Sequence, residues 1–152
     1  VSDLTISVQL LHPDARLPHR AHYDDAGADL MSVEECEIAP GERALVGTGI
    51  AIEVPRGYAA FVHPRSGLAA KQGLTVLNAP GTIDSGYRGE VKVIVHNTDP
   101  HATAHIGVGD RIAQLVIQEV ALPRFTAADR LSDSERAAGG FGSTGIAGKD
   151  TN

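Results

Sequence analysis

An all-β fold is predicted by three features of the sequence: short runs in which apolar and polar residues alternate, Gly, Pro and Asp/Asn punctuation between those runs, and little helical periodicity. Many short strands of this kind point to a sandwich or barrel. Leu4, Ile6, Val8 and Leu10 alternate with Thr5, Ser7 and Gln9, which places one face of an opening strand inward. The same reading predicts strands over 43–54, 58–62, 74–77, 90–96 and 111–120. After Pro64, residues 66–72 have room for one short helical turn, limited by Gly67 and Gly73. No internal repeat is present.

The 152 residues fit one domain, and 42% hydrophobic against 21% charged residues is the balance of a chain that folds. With no Trp and three Phe, the core must be built from Val, Ile, Leu and Ala, so an exposed aromatic ring calls for a reason. A net charge of −6 argues against binding long nucleic acid, while a small anion remains possible where cations converge. The single cysteine, Cys36, has no disulfide partner, and no Cys/His set has zinc spacing. No apolar stretch reaches membrane-spanning length, and residues 1–11 lack the features of a signal peptide, so a cytoplasmic location is expected. The seven His show no metalloprotease spacing and read as surface or loop residues. No Ser sits in a G-x-S-x-G elbow, so nucleophilic hydrolysis is not indicated.

Past Ala121 the composition changes. Pro123 interrupts any strand, 127–138 is polar and Ala-rich, and 139–145 holds four glycines. The expected organisation is a β-barrel body over 1–121 and a flexible C-terminal arm over 122–152. Phe141 inside the Gly-rich stretch reads as an anchor that closes on something, against the plainer reading of a disordered terminus. That stretch is no P-loop, because no strand precedes it and no Lys follows its glycines.

Several segments carry possible chemistry. Residues 81–90, Gly-Thr-Ile-Asp-Ser-Gly-Tyr-Arg-Gly-Glu, join two strand-like runs and are expected to form a hairpin lining a pocket. Asp84 is there the candidate base, although an Asp beside Ser and Gly also serves as a turn former, and Tyr87 also fits a packed strand. Arg65, Ser66 and Gly67 follow a strand where backbone N–H groups can meet an anion; a helix cap explains Ser66 equally well. Gln114, on a strand where Arg111, Ala113 and Leu115 share the opposite face, is poorly explained by a core and points to a ligand or a subunit boundary. Asp29, a carboxylate in an apolar run, can hold a hard cation or its water shell.

In order and wording these segments resemble the five motifs of the trimeric dUTPase family, from Ala26 to Gly145. The resemblance implies a jelly-roll β-barrel, a homotrimer with sites shared between subunits, and Mg²⁺-dependent hydrolysis of dUTP to dUMP and pyrophosphate, limiting uracil in DNA and supplying dUMP. It implies that Asp84 activates the attacking water and that Tyr87 packs beneath the sugar and excludes a 2′-hydroxyl. Asn78 and the backbone of Gly81, Thr82 and Ile83, with Lys92, would read uracil. Arg65, Ser66, Gly67 and Gln114 would contact the phosphates, Gln114 from another subunit. Asp29 would hold the water shell of a Mg²⁺ chelated by the triphosphate, with Arg111 in support. Arg136, Gly142, Ser143 and Thr144 would grip the γ-phosphate side and Phe141 would stack on uracil, making the arm a lid. Neither nucleic acid nor membrane is an expected partner. Two rivals stand beside this reading. A dCTP deaminase shares the barrel but needs a Glu on the strand that here reads Val91-Lys92-Val93-Ile94-Val95, and a non-catalytic jelly-roll binding protein would need none of these roles.

Overall fold

In the computed structural model, which describes residues 4–134, the chain forms strands β1 (Ser7–Leu10), β2 (Ala28–Met31), β3 (Cys36–Ile38), β4 (Arg43–Glu53) and β5 (Tyr58–His63). Helix α1 (Ser66–Gln72) follows, and then β6 (Leu74–Val76), β7 (Gly81–Ile83), β8 (Glu90–Asn97), β9 (Ala104–Ile106) and β10 (Arg111–Glu119). The strands pair as two four-stranded sheets, in the orders β1-β4-β8-β6 and β2-β10-β5-β7, with β3 and β9 as a separate ribbon. Every neighbouring pair of strands in them is antiparallel. The all-β, jelly-roll-like reading holds, as two sheets rather than a barrel closed by strand pairing among the described residues.

The core lies between the sheets. Val46, Ile50, Ile52, Val91, Val93 and Val95 come from the first sheet, and Leu30, Ala60, Val62, Ile83, Ala113 and Leu115 from the second. It is aliphatic, as the scarcity of large rings requires, and each of its larger side chains contributes about 1.5–3 kcal/mol by leaving water. Strand alternation explains the pattern on β8, where Val91, Val93 and Val95 are buried and Lys92 is exposed. Buried Asn97 closes the end of that strand: its amide donates to the Ile38 and Ala102 carbonyls at 2.9 and 2.8 Å.

Strand β4 carries a bulge opposite the start of β8. Its register with β8 runs from Gly47↔Lys92 to Ala51↔Glu90, so Thr48, Gly49 and Ile50 face the single residue Val91. Two carboxylates take the N–H groups this frees: Glu34 accepts from Gly47 at 2.7 Å and Glu90 from Gly49 at 3.0 Å. Gly49 sits at φ 66° with no space for a Cβ. The Thr48 hydroxyl donates to the Val91 carbonyl.

Helix α1 starts directly after Arg65 and ends at Gly73, whose φ of 65° lets its N–H reach back to Ala69. Its N-cap is Arg65 and no side chain caps it, so the capping role considered for Ser66 is not what the structure has.

Two sequence expectations are corrected. Residues 81–90 do not form a simple hairpin: β6 pairs with β8, but the chain then leaves that sheet through 77–80, with a cis Ala79–Pro80 bond, and β7 pairs with β5 in the other sheet. Gly81 and Ile83 are thereby buried, which three residues of alternation are too short to announce. The face assignment on β10 also shifts, because an irregularity between Arg111 and Ala113 turns Ile112 inward beside its neighbour Ala113. His63, His96 and His105 lie on strands, the first two partly exposed and the third exposed, in keeping with the surface reading. By backbone proximity the chain divides into one unit ending at Leu122 and another from Pro123. Residues 123–134 carry no helix or strand. Arg136, Phe141, Gly142, Ser143 and Thr144 lie outside the described residues.

Candidate active site

The crossing of the chain from β6 to β7 builds a cleft of about 200 Å³ at the seam between the two sheets. Val76 and Val91 come from one sheet and Val62, Gly81 and Ile83 from the other, with Asn78, Asp84, Tyr87 and Lys92 around the mouth. Gly81 lies close against the Asn78 amide: a Cβ there would stand 3.2 Å from Asn78 Nδ2 and 3.4 Å from Val62 Cβ, so a larger residue would press that amide aside by a few tenths of an ångström. The backbone of 81–83 is thus presented at close range beside one amide side chain, an arrangement suited to reading the edge of a small planar ring.

Asp84 and Tyr87 sit on the turn that follows β7. The Tyr87 N–H donates to the Asp84 carbonyl at 3.0 Å, and the Tyr87 hydroxyl donates to the Glu90 carbonyl at 3.0 Å, laying the ring over Gly89. Tyr87 is therefore no packed strand residue; it is 46% exposed and faces the cleft, a ring left in water beside a ligand-sized cavity. Asp84 is exposed, and among the described residues no side-chain hydrogen bond or ion pair occupies its carboxylate, which is what a base that meets water requires. Arg88 and Glu53, which sequence reading passed over, brace this turn from outside the cleft. Their separation of 35 positions leaves no local signal.

A second group of expected residues gathers at the end of the β2-β10-β5 face. Asp29 pairs in register with Gln114, and Gln114 with His63. The Asp29 carboxylate is 8% exposed and lies between two guanidiniums, with Arg65 Nε 3.0 Å from Oδ1 and Arg111 Nη1 3.4 Å from Oδ2. Arg65 also donates to the Arg111 carbonyl at 3.2 Å. The short Arg65 contact is an ion pair without a hydrogen bond, since neither Nε nor Oδ1 finds one in line. Arg65 thus turns Nε to Asp29 and Nη1 to the Arg111 carbonyl, while no described residue hydrogen-bonds its Nη2. Gln114 is half-buried against Gly27, where a Cβ would come within 3.1 Å of its Oε1, and no described residue hydrogen-bonds its amide.

Among the described residues no three acidic, His or Cys side chains converge to hold a metal directly. The buried, unbonded Asp29 Oδ1 fits a carboxylate that takes a hydrogen bond from the water shell of a cation carried in by a ligand. Of the expected residues, then, Asn78, Gly81, Thr82, Ile83, Asp84, Tyr87 and Lys92 meet at the cleft, Asp29, Arg65, Arg111 and Gln114 meet in the second group, and Ser66 and Gly67 open α1 beside Arg65.

This division of labour between a backbone-lined cleft and an arginine–carboxylate cluster on a two-sheet scaffold has a counterpart in a known class of enzyme. The family model described as dUTPase matches residues 13–145, and the chain belongs to the dUTPase family. It is 60% identical to the deoxyuridine 5'-triphosphate nucleotidohydrolase of Thermobifida fusca (strain YX), over 95% of this chain and 85% of that one. Among solved structures it resembles the dUTPase of Staphylococcus bacteriophage 80alpha with dUPNHPP, at a TM-score of 0.88 and 32% identity, covering 93% of this chain and 99% of that one. A mutant dUTPase from phage phi11 of S. aureus, described with a structural Mg(II) ion, aligns at a TM-score of 0.78 and 30% identity over 84% of this chain and 98% of that one.

Proposed function

We propose that the protein hydrolyses dUTP to dUMP and pyrophosphate, a reaction that limits uracil incorporation into DNA and supplies dUMP. The observation that carries this reading is the seam cleft, where backbone of 81–83 and the Asn78 amide face a cavity flanked by an unencumbered carboxylate, Asp84, and an exposed ring, Tyr87. Uracil enters between β7 and β8 and is read by Asn78, the backbone of Gly81, Thr82 and Ile83, and the main chain at Lys92. The close walls leave no room for a thymine methyl. Tyr87 lies under the deoxyribose and crowds a 2′-hydroxyl.

Asp84 takes a proton from water as the water oxygen bonds to the α-phosphorus; the bond from that phosphorus to the bridging oxygen breaks and pyrophosphate leaves. No covalent enzyme intermediate is needed. A positioned base of this kind is worth about 10²–10⁴-fold in rate. Magnesium, chelated by the triphosphate, would supply charge neutralisation, with Asp29 accepting hydrogen bonds from its water. Ser66 and Gly67, Arg65 and Gln114 meet the phosphates. Because Asp29, Arg65, Arg111 and Gln114 form a group of their own rather than lining the cleft, the reading assigns them to the site of a neighbouring subunit in a homotrimer. Arg136, Phe141, Gly142, Ser143 and Thr144 complete the site as a lid.

The deaminase alternative lacks a carboxylate over 91–95, where β8 reads Val-Lys-Val-Ile-Val. Incubation with dUTP and Mg²⁺, following pyrophosphate and ammonia together, tests the proposal. Pyrophosphate without ammonia is expected; ammonia release, or neither product, overturns it.

A further inference from the structure

Apart from the bonds that Arg88 makes, the turn that carries Asp84 and Tyr87 is shaped by the hydrogen bonds of Tyr87 N–H to Asp84 and of the Tyr87 hydroxyl to Glu90. The second ties the turn to the first residue of β8, but neither reaches β4, the strand beside β8 in that sheet. Arg88 adds bonds within the turn and supplies the link to β4. Its Nη1 donates to the Ser85 carbonyl at 2.7 Å and to the Tyr87 carbonyl at 2.9 Å, spanning the turn, while Nη2 donates to Glu53 Oε1 at 3.0 Å. Glu53 is the last residue of β4, paired with Ser7 of β1, so the anchor belongs to a strand held on both sides.

We infer that Arg88 is a positioning residue for the reaction: braced by Glu53, its guanidinium fixes the turn so that the Asp84 carboxylate and the Tyr87 ring keep their places at the cleft. The inference rests on the dUTP reading of that cleft. Arg88 does not line the cleft, so it acts through the turn rather than on substrate. A planar fork of donors is what the task requires, because one lysine ammonium cannot serve two carbonyls and a carboxylate in these directions. The pair is 52% and 61% exposed, and an ion pair that open to water adds little to folding stability. Its removal should therefore be visible in kinetics and scarcely in melting.

The test is kcat/KM for dUTP and UTP, with melting, in the wild type, Arg88→Ala, Arg88→Lys, Glu53→Gln and Arg88→Ala/Glu53→Gln. Arg88→Ala should lower kcat/KM for dUTP about tenfold or more and lower the dUTP/UTP ratio, since both acid–base geometry and sugar packing loosen. Arg88→Lys should restore only part of the loss. Glu53→Gln, which keeps an acceptor oxygen, should fall between, and the double variant should match Arg88→Ala alone. Melting should stay within about 2 °C throughout. An unchanged dUTP/UTP ratio in Arg88→Ala overturns the inference, whether kcat/KM is retained or falls together with melting. A wild type that hydrolyses dUTP and UTP equally would instead overturn the reading of the site, and the role of Arg88 with it.

Discussion

Gly89→Ala tests how strictly the Tyr87 ring must be placed. Gly89 lies directly under that ring: a Cβ built there would stand 2.6 Å from Tyr87 Cζ and 3.1 Å from Cε2. Carbon atoms pack at about 3.5–4.0 Å, so the ring must withdraw by about 1 Å. Gly89 is not among the glycines with positive φ, so the backbone accepts alanine without strain and the cost falls on the ring alone. Withdrawal breaks the hydroxyl's 3.0 Å bond to the Glu90 carbonyl. Such a bond is worth about 0.5–1.5 kcal/mol, and less here because water replaces it at a half-exposed ring, so melting should scarcely move. The kinetic effect should be larger: a displacement of that size next to the sugar is expected to lower kcat/KM for dUTP about 10- to 100-fold. UTP should lose less, because a ring that has moved away no longer crowds a 2′-hydroxyl. The measurement is kcat/KM on both nucleotides beside a thermal melt, with Tyr87→Phe as the control that keeps the ring and removes only the hydroxyl. Wild-type kcat/KM and an unaltered dUTP/UTP ratio in Gly89→Ala would refute the argument that this ring sets the sugar.

Other perturbations separate catalysis from folding. Asp84→Asn should fold and bind nucleotide but turn over about 10²–10⁴-fold more slowly, and retained turnover would remove Asp84 from its role as base. Removal of the chain from Ala137 onward should leave melting and oligomer size unchanged while weakening dUTP binding and turnover; full activity, or loss of the oligomer, would rule out a lid. Gly49→Ala should do the opposite and spare the chemistry, because a Cβ at φ 66° would meet His12 and Val33 at 2.8 Å and Ala15 at 2.9 Å. Left-handed backbone and overpacking together cost about 2–5 kcal/mol, and an unfolding free energy within 1 kcal/mol of wild type, read from urea titration, would show that the bulge gives way. The Asp99 carboxyl is held below its ordinary range by the backbone N–H groups of Ala102 and His101, both 2.8 Å from Oδ1. Its stabilising contribution is therefore present above the unfolded carboxylate value of about 4 and lost as pH falls through the lower folded value. Asp99→Asn should be less sensitive to acid than the wild type in melts taken down that range, and parallel curves would sink the assignment.

The long strands were legible because an apolar-rich run of eight or more residues between turn residues stands out even where a bulge breaks its alternation: 43–54 and 111–120 match β4 and β10 to within one residue at the end. Helix α1 was legible from Pro64 before it and Gly73 after it. Strands β2, β3, β7 and β9, of three or four residues, were not, since so few positions cannot distinguish alternation from chance; β6, equally short, was marked off by Gly73 before it. The same limit governed the site. Asp84, Tyr87 and Asn78 lie within ten positions of one another and could be read together. The enclosure of Asp29 by Arg65 and Arg111 spans 82 positions at its widest and emerges only when β2, β10 and the end of β5 come together. Glu90 illustrates the point most sharply: in the sequence it merely follows Gly89, whereas in the fold one of its oxygens stabilises the β4 bulge and the other sits 3.5 Å from the Lys92 ammonium.

Because the cleft takes Val76 and Val91 from one sheet and Val62 and Ile83 from the other, anything seated in it acts as a rivet through the sandwich. Parting of the sheets at the seam breaks the contacts on both walls, so an occupant that binds only the closed seam opposes it by mass action. Amide protons along β7 and at the start of β8 should then exchange with solvent through an opening whose free energy rises with nucleotide concentration, while those in the β3-β9 ribbon, which contributes nothing to the cleft wall, keep their own rate. A short crossing between sheets thus couples occupancy of the cleft to the cohesion of the two sheets at that seam.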